Sequence, residues 1–592
     1  MVSSPVAKRL WRFRLSPNGV AVGTLAVLAA ALYSTFALYR FYQFNSATYD
    51  LVIFDQAVDS YAHFQPGISI VKGLHNGFGP HFSVLGDHFS PIIALLAPLY
   101  WIHNGPQDLL LAQSVLFALA IPPIWLFVRR AVGGGRRGTI AAYLASIAYA
   151  ISWPIASAVA FDFHEVAFAP VLTAVALERL QAGKVRTALI AMGAMLLVKE
   201  DMGLMVAGIG IVLLVSRQHL TRQRLLGAGL IAGGLVATVI SIYLIIPAMG
   251  GRSDYYFAYS AFGANTPQAL LHMAEHPLRA LHELVTPRTK LDTMIWLFGA
   301  FAFLPLLSPI TIAALPLLLE RMLGNTAPNW WGVPFQYNAF LVVILLFGAV
   351  DGGVRLGRWV SWAAARWAWL SPGRPAALLA PEPAGSQARL AGAAAGVTPV
   401  VATVGASAGS PALPPSGSPQ APAGGGPPGP IRPVTGTSGS WELGQSARLA
   451  GNVAVAAAGL ICAMAIFFVP KSAFDGMLHS GFFNYATRQT EAENAALAHV
   501  PSGVTVATAN NIGPHLVSRD TVVLWDGERG TPPLYAPWVV ANNSQLQFSF
   551  STIGQEDRSL RFLESHGYSV VFDRLGYYVL HRGDLPARRR EP

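Results

Sequence analysis

Thr48-Tyr49-Asp50-Leu51-Val52-Ile53-Phe54-Asp55-Gln56 opens a polar stretch that closes at Gly86-Asp87-His88-Phe89-Ser90-Pro91. An apolar run from Val20 to Tyr39 precedes it, long enough to cross a bilayer. Lys8, Arg9, Arg12 and Arg14 stand before that run, and no small-residue cleavage site follows it, so it reads as an uncleaved first span. Thr48–Pro91 is then the first loop beyond the membrane. The remaining chain is read from this loop outward.

The composition agrees with a membrane solvent. Of 592 residues, 53% are hydrophobic and 12% charged, against about 25% charged in soluble domains. The mean hydropathy is +0.44. A net charge of +10 raises the question of nucleic acid. The basic residues, however, sit in short clusters between apolar runs, which is the pattern of topogenic charge. No nucleic-acid partner is expected. The single cysteine, Cys462, lies in an apolar run, which excludes an intramolecular disulfide.

Candidate spans fall at 19–40, 108–130, 138–157, 166–180, 187–199, 202–216, 224–247, 291–307, 309–322, 336–352 and 447–469, about eleven in all. With the N-terminus in the cytoplasm, Arg129, Arg130, Arg136 and Arg137, then Arg179, Lys184 and Arg186, then Arg217, Arg222 and Arg224, and finally Arg355 and Arg358 all fall inside. That parity makes 90–104 a helix at the outer interface, anchored by Tyr100 and Trp101, and not a span. The expected fold is a polytopic α-helical membrane protein with a small extracytoplasmic α/β domain. Residues 1–352 form the transmembrane domain, with an outer loop at 41–107. Residues 353–446 form a cytoplasmic linker, rich in Pro, Gly and Ala and expected to be disordered. The last span is 447–469. The outer domain is 471–592, with a helix at Asn484–His499 and strands at Val504–Thr508, Thr521–Trp525, Trp538–Ala541, Ser569–Phe572 and Tyr577–His581.

Charged residues beside membrane helices are costly and mark candidate sites. By the parity above, four loops deliver them to one face. The first loop carries Asp50, Asp55, Asp59, Asp87 and His88. Phe161-Asp162-Phe163-His164-Glu165 follows the third span. Lys199-Glu200-Asp201 lies between the fifth and sixth. Glu320-Arg321 follows the ninth, and Gln336-Tyr337 begins the next. Bland roles stand beside the chemical ones. Asp50 also suits a helix N-cap, Lys199-Glu200-Asp201 an internally paired turn, and Asp162, His164 and Glu165 lack a diagnostic metal-ligand spacing. No Gly-rich phosphate loop is present.

These stretches resemble the bacterial membrane-protein family known as domain of unknown function 2079. The matching segments are YDLVIFDQ at 49–56, LGDHFSP at 85–91, FDFHE at 161–165, LVKEDMG at 197–203, NIGPH at 511–515 and GYYVLHR at 576–582. The family looks like a distant relative of the C-type (GT-C) glycosyltransferases. In those enzymes an acidic pair opens the first outer loop, and a proline-rich stretch, often after Asp-His, closes it. Here Leu51 stands where the second acid often does.

The resemblance implies an inverting transfer on the outer face of the cytoplasmic membrane, from a polyprenyl-phosphate-linked sugar to a cell-envelope glycan, lipid or protein. Asp50 would be the general base, with Asp55 in support. Asp87, His88, Asp162, His164, Glu165, Lys199, Glu200, Asp201, Arg321, Gln336 and Tyr337 would bind substrate. A divalent metal is possible in such enzymes, and none is assigned. A lipid-linked-sugar flippase and a non-catalytic envelope assembly protein are the competing readings.

Overall fold

The computed structural model describes residues 16–215, 221–370, 437–479, 481–526 and 536–583. The chain divides into two compact units, Met1–Val360 with Arg448–Pro592, and Ser361–Ala447. The Pro- and Gly-rich core of the expected linker, 371–436, lies outside the described residues. On either side of it the chain is helical: Val342–Leu370 runs well past 352, and a helix resumes at Thr437.

Among the described residues five helices are long and apolar enough to cross a membrane: Pro17–Tyr42, Pro106–Ala131, Gly135–Ala160, Thr221–Ala248 and Ser446–Lys471. Several other expected spans are shorter. Phe168–Gln181 has 14 residues, Val185–Met195 has 11 and Met202–Val215 has 14. Fourteen residues rise about 21 Å, less than the ~30 Å of a hydrocarbon core. The expected span at 291–307 is broken. Helix Arg288–Gly299 ends in left-handed Ala302 and Phe303, and 3-10 turns cover Leu304–Leu307 and Pro309–Ala314 before Leu315–Leu323. Pro305, Pro309 and Pro316 each remove a backbone donor, so no continuous ladder can form.

Small residues let the short helices pack. A Cβ on Gly203 would come within 2.2 Å of the Gly234 carbonyl oxygen, and one on Gly210 within 2.6 Å of that of Gly227. The backbones of Met202–Val215 and Thr221–Ala248 therefore meet directly, as small-residue packing permits. Polar side chains tie other helices together. Tyr33 donates to the Ala150 carbonyl at 2.8 Å, Tyr149 to that of Phe117 at 2.9 Å, and Gln113 to that of Asp162 at 2.6 Å. At the opposite end of the bundle, buried Glu178 pairs with Arg130 at 2.8 Å and with Arg179.

Residues 481–583 carry a five-stranded sheet of order β2-β1-β3-β5-β4. The strands are β1 Thr505–Thr508, β2 Thr521–Leu524, β3 Trp538–Asn542, β4 Ser569–Arg574 and β5 Tyr577–His581. β1 pairs parallel with β2 and β3, and β5 antiparallel with β3 and β4. All five lie at the strand-like runs read from the sequence, with ends shifted by at most two residues. Leu575 and Gly576 both have positive φ, the type I′ geometry that matches strand twist in a two-residue hairpin. Thr487 and Thr552 form capping boxes that start helices Arg488–Ala498 and Ile553–Ser565. The second of these helices was not expected.

Candidate functional site

The first loop begins in a π-helical turn, Thr48–Val52, that leads into helix Ile53–Ala62. The turn is held from two directions. From the sheet side, the Thr48 amide donates to the Asn510 carbonyl at 2.5 Å and the Tyr49 amide to Asn510 Oδ1 at 2.9 Å. Thr48 Oγ1 donates to the Asn510 carbonyl at 2.9 Å and accepts from the Gly513 amide at 3.1 Å. From the bundle side, Asp162 accepts the Ala47 amide at 2.7 Å. Asp162 is itself left-handed, with φ 55°, and burial pushes its carboxyl up to about 6 against that hydrogen bond and one from Ser46.

So gripped, the turn sets Asp50 beside His164, Oδ1 to Nε2 at 3.6 Å. The His164 ring stacks on Phe161 and meets Phe54 edge-on. Its Nδ1 is buried with no hydrogen-bond partner. The Asp50 side chain stays 28% exposed, while that of neighbouring Glu165 is 3% exposed. Glu165 Oε1 faces Lys199 Nζ at 3.6 Å, and its Oε2 is unpartnered. Burial would discharge Lys199, yet Glu165, Asp201 and Glu200 outweigh it and hold the ammonium charged. Tyr337 lies in the same field, close enough for Lys199, Asp50 and Glu165 all to act on its hydroxyl.

A second arm of the cluster runs through Glu200. His88 Nδ1 meets Glu200 Oε1 at 2.7 Å, and the Phe89 amide donates to Oε2 at 3.1 Å. Next to His88, Asp87 pairs with Lys72 at 3.0 Å and accepts the Tyr256 hydroxyl at 2.6 Å. Burial raises Asp87, but Lys72, His88 and the Tyr256 bond bring it below the usual carboxylate range. Lys72 returns to the opening turn, donating to the Tyr49 hydroxyl at 3.1 Å. Asp50 is thus joined to Asp87 through Tyr49 and Lys72, and to Lys199 through His164 and Glu165. Burial also pushes Asp201 up, against the pull of Lys199, and its Oδ1 is unpartnered.

Three expected site residues stand apart. Asp55 does not face Asp50. It is 2% exposed and accepts the Tyr100 hydroxyl at 2.6 Å, because one helical turn rotates it toward Pro91–Tyr100. Tyr100 is accordingly buried and is no interfacial anchor, whereas Trp101 is 61% exposed. Arg321 is occupied by its own chain: it donates to the Trp330 and Tyr337 carbonyls and to Asn338 Oδ1. Gln336 is buried with Oε1 unpartnered. Asp162, His164 and Glu165 turn to three different partners, and among the described residues no group of three acidic, histidine or cysteine side chains converges as metal ligands would.

Sequence reasoning passed over Lys72 and Tyr256. Lys72 is 3% exposed. The available signal was its place in Ser69-Ile70-Val71-Lys72-Gly73, a capped apolar helix too short to keep a lysine in water.

A family model described as "Predicted membrane protein (DUF2079)" matches residues 40–372, more than half of the chain. The chain belongs to the DUF2079 family. No curated protein matches it. Among solved structures, the crystal structure of ArnT from Cupriavidus metallidurans bound to undecaprenyl phosphate is similar to this DUF2079 chain, with a TM-score of 0.47 and 12% identity over 95% of this chain and 98% of that one. A likeness that remote fixes no chemistry.

Proposed function

We propose that this DUF2079 protein is a membrane glycosyltransferase of the GT-C type. It moves a sugar from a polyprenyl-phosphate donor to a cell-envelope acceptor, with Asp50 as general base. The observation that carries the reading is the convergence of Asp50, His164, Glu165, Lys199, Glu200, His88 and Asp87 at one end of the bundle, where Asp50 keeps part of its carboxylate open. Asp50 would take the proton of an acceptor hydroxyl as that oxygen bonds to the anomeric carbon. The bond from that carbon to the phosphate oxygen breaks, and polyprenyl phosphate leaves. Lys199 supplies charge for the developing phosphate dianion, and His88, held above its ordinary value by Glu200, supplies a hydrogen-bond donor. Lys72 and Glu165 position these groups, Asp55 ties its helix to the Tyr100 hydroxyl, and Arg321 holds the backbone of Trp330 and Tyr337.

The Lys and Arg clusters at the other end support an orientation with that end in the cytoplasm, the sheet domain outside and the protein multi-pass in the cell membrane. The test is a deletion strain complemented with wild type or Asp50→Asn. A transferase predicts that a lipid-linked sugar accumulates in the deletion and in Asp50→Asn at normal protein level. Full complementation by Asp50→Asn refutes the assignment.

A further inference from the structure

Two short helices, Thr266–Glu275 and Pro277–Glu283, follow the stretch that carries Tyr256. They turn leucines outward. Leu270 and Leu271 are 62% and 61% exposed, and Leu278 and Leu281 are 80% and 58% exposed. Against the described chain, Ala269 is the one buried residue of the two helices. Arg279 Nη1 donates to His272 Nε2 at 3.2 Å, which ties the pair into one platform. Helices of 10 and 7 residues are marginal in water by themselves, and a row of leucines left in water adds to the cost. An apolar surface beyond the described chain fits that face.

The ties at the two ends of the segment say which surface. At the start, the Tyr243 hydroxyl donates to Thr266 Oγ1 at 2.9 Å. Tyr243 belongs to the membrane-crossing helix Thr221–Ala248 and stands five residues before its end, about 7 Å along the axis. Its neighbour Leu244 is exposed, so on a membrane-crossing helix it faces lipid. At the other end, Lys290 donates to the Glu283 carbonyl at 2.9 Å and to Glu283 Oε1 at 2.8 Å. Lys290 lies in helix Arg288–Gly299, whose Leu291 and Ile295 are also exposed. Hydrogen bonds thus pin both ends of the segment to bundle helices, and its leucines stand between the outward-facing residues of both. A soluble partner would have to displace lipid that is already there.

We propose that Thr266–Glu283 is a membrane-docking surface, seated in the headgroup region of the leaflet on the Asp50 side. Leu270, Leu271, Leu278 and Leu281 insert among the acyl chains, and the histidines and Arg279 stay at headgroup level, as in an interfacial amphipathic helix. The docked platform also anchors the stretch before it, in which Tyr256 donates to Asp87 and stacks on His88 at 4.5 Å. The bilayer therefore helps to hold that cover on the acidic cluster. The proposal rests on the membrane fold and not on the transferase reading.

The test uses the full chain in nanodiscs, in a Cys462→Ser background, with a bimane label on Leu271→Cys or Leu278→Cys. Leu244→Cys is the lipid reference and Ser544→Cys, in the sheet domain, the water reference. Phosphatidylcholine with a doxyl group near the headgroup end of its acyl chain should quench the labels at 271 and 278 as it does the one at 244, and aqueous iodide should spare them. Absence of lipid quenching overturns the proposal. Iodide quenching would then leave the leucines in water, and protection from both quenchers would put a protein partner there. A second measurement needs no label. Leu270→Gln combined with Leu271→Gln should raise amide hydrogen exchange across Thr266–Glu283 and leave the sheet as it was. Unchanged exchange in the helices also overturns the proposal. Asp50→Asn complementation judges the transferase reading separately, since it reports on chemistry and not on docking.

Discussion

Asp50 and Asp55 lie five residues apart and meet different fates. Asp50 keeps an open carboxylate beside His164, while Asp55 is closed over by Tyr100. Loss of a general base typically costs 10²–10⁴-fold in rate, and Asp50→Asn is expected to fall in that range in a transfer assay. Tyr100→Phe should leave the chemistry intact and lower thermal stability, by about 1.5–3 kcal/mol for a hydrogen bond to a charged group. A detergent-solubilised melting curve reads this. The His88–Glu200 pair has a pH signature. Burial pulls His88 down, but Glu200 outweighs it and sets it above its ordinary 6.5. Burial raises Glu200, but His88 outweighs it and sets it below 4.5. A histidine raised on folding stabilises fully below its unfolded value and loses that as pH rises through its folded one. A glutamate lowered on folding stabilises above its unfolded value and loses that as pH falls through its folded one. The melting-temperature gap between wild type and His88→Gln should therefore be widest between about pH 4.5 and 6.5, and should narrow as the pH rises through the raised value of His88 or falls through the lowered value of Glu200.

At the scale of elements, the contact between the turn Thr48–Val52 and the loop Asn510–His515 decides where Asp50 sits. A Cβ on Gly513 would lie 2.3 Å from Thr48 Oγ1 and 2.7 Å from Thr508 Oγ1. Gly513→Val should separate the two elements. Limited proteolysis would then cut the first loop faster than in wild type, with helical content unchanged by circular dichroism. The elements themselves were largely legible. The sheet strands are short runs rich in β-branched and aromatic residues bounded by turn residues, and the long spans are long apolar runs, so local pattern and final structure agree. The broken region 300–323 was not legible, because an apolar run gives the same signal whether its prolines permit a helix or not. Asp55 and Arg321 were misplaced for another reason. A charged residue at a membrane edge looks the same in sequence whether its partner is a substrate or its own backbone, and only the rotation of one helical turn separates them. Lys72 was missed because its partners, Asp87 and Tyr256, come from distant segments.

For the whole molecule, the expected orientation is open to direct labelling. In a Cys462→Ser background, Ser544→Cys in the sheet domain should react with a membrane-impermeant maleimide in intact cells. Arg136→Cys should react only after permeabilisation. The reverse pattern would put the acidic cluster on the cytoplasmic side and remove any outer-face transfer.

The bonds that grip Thr48 come from residues 460 or more positions further along the chain. A ribosome that has just released the first loop must therefore make nearly all of the remaining protein before that loop can settle. Contacts so distant form late. A chain cut short before Asn510 would carry the membrane helices and Asp50 itself, yet lack the clasp that holds the turn from the sheet side, so incomplete products would leave that turn held from the bundle side, by Asp162.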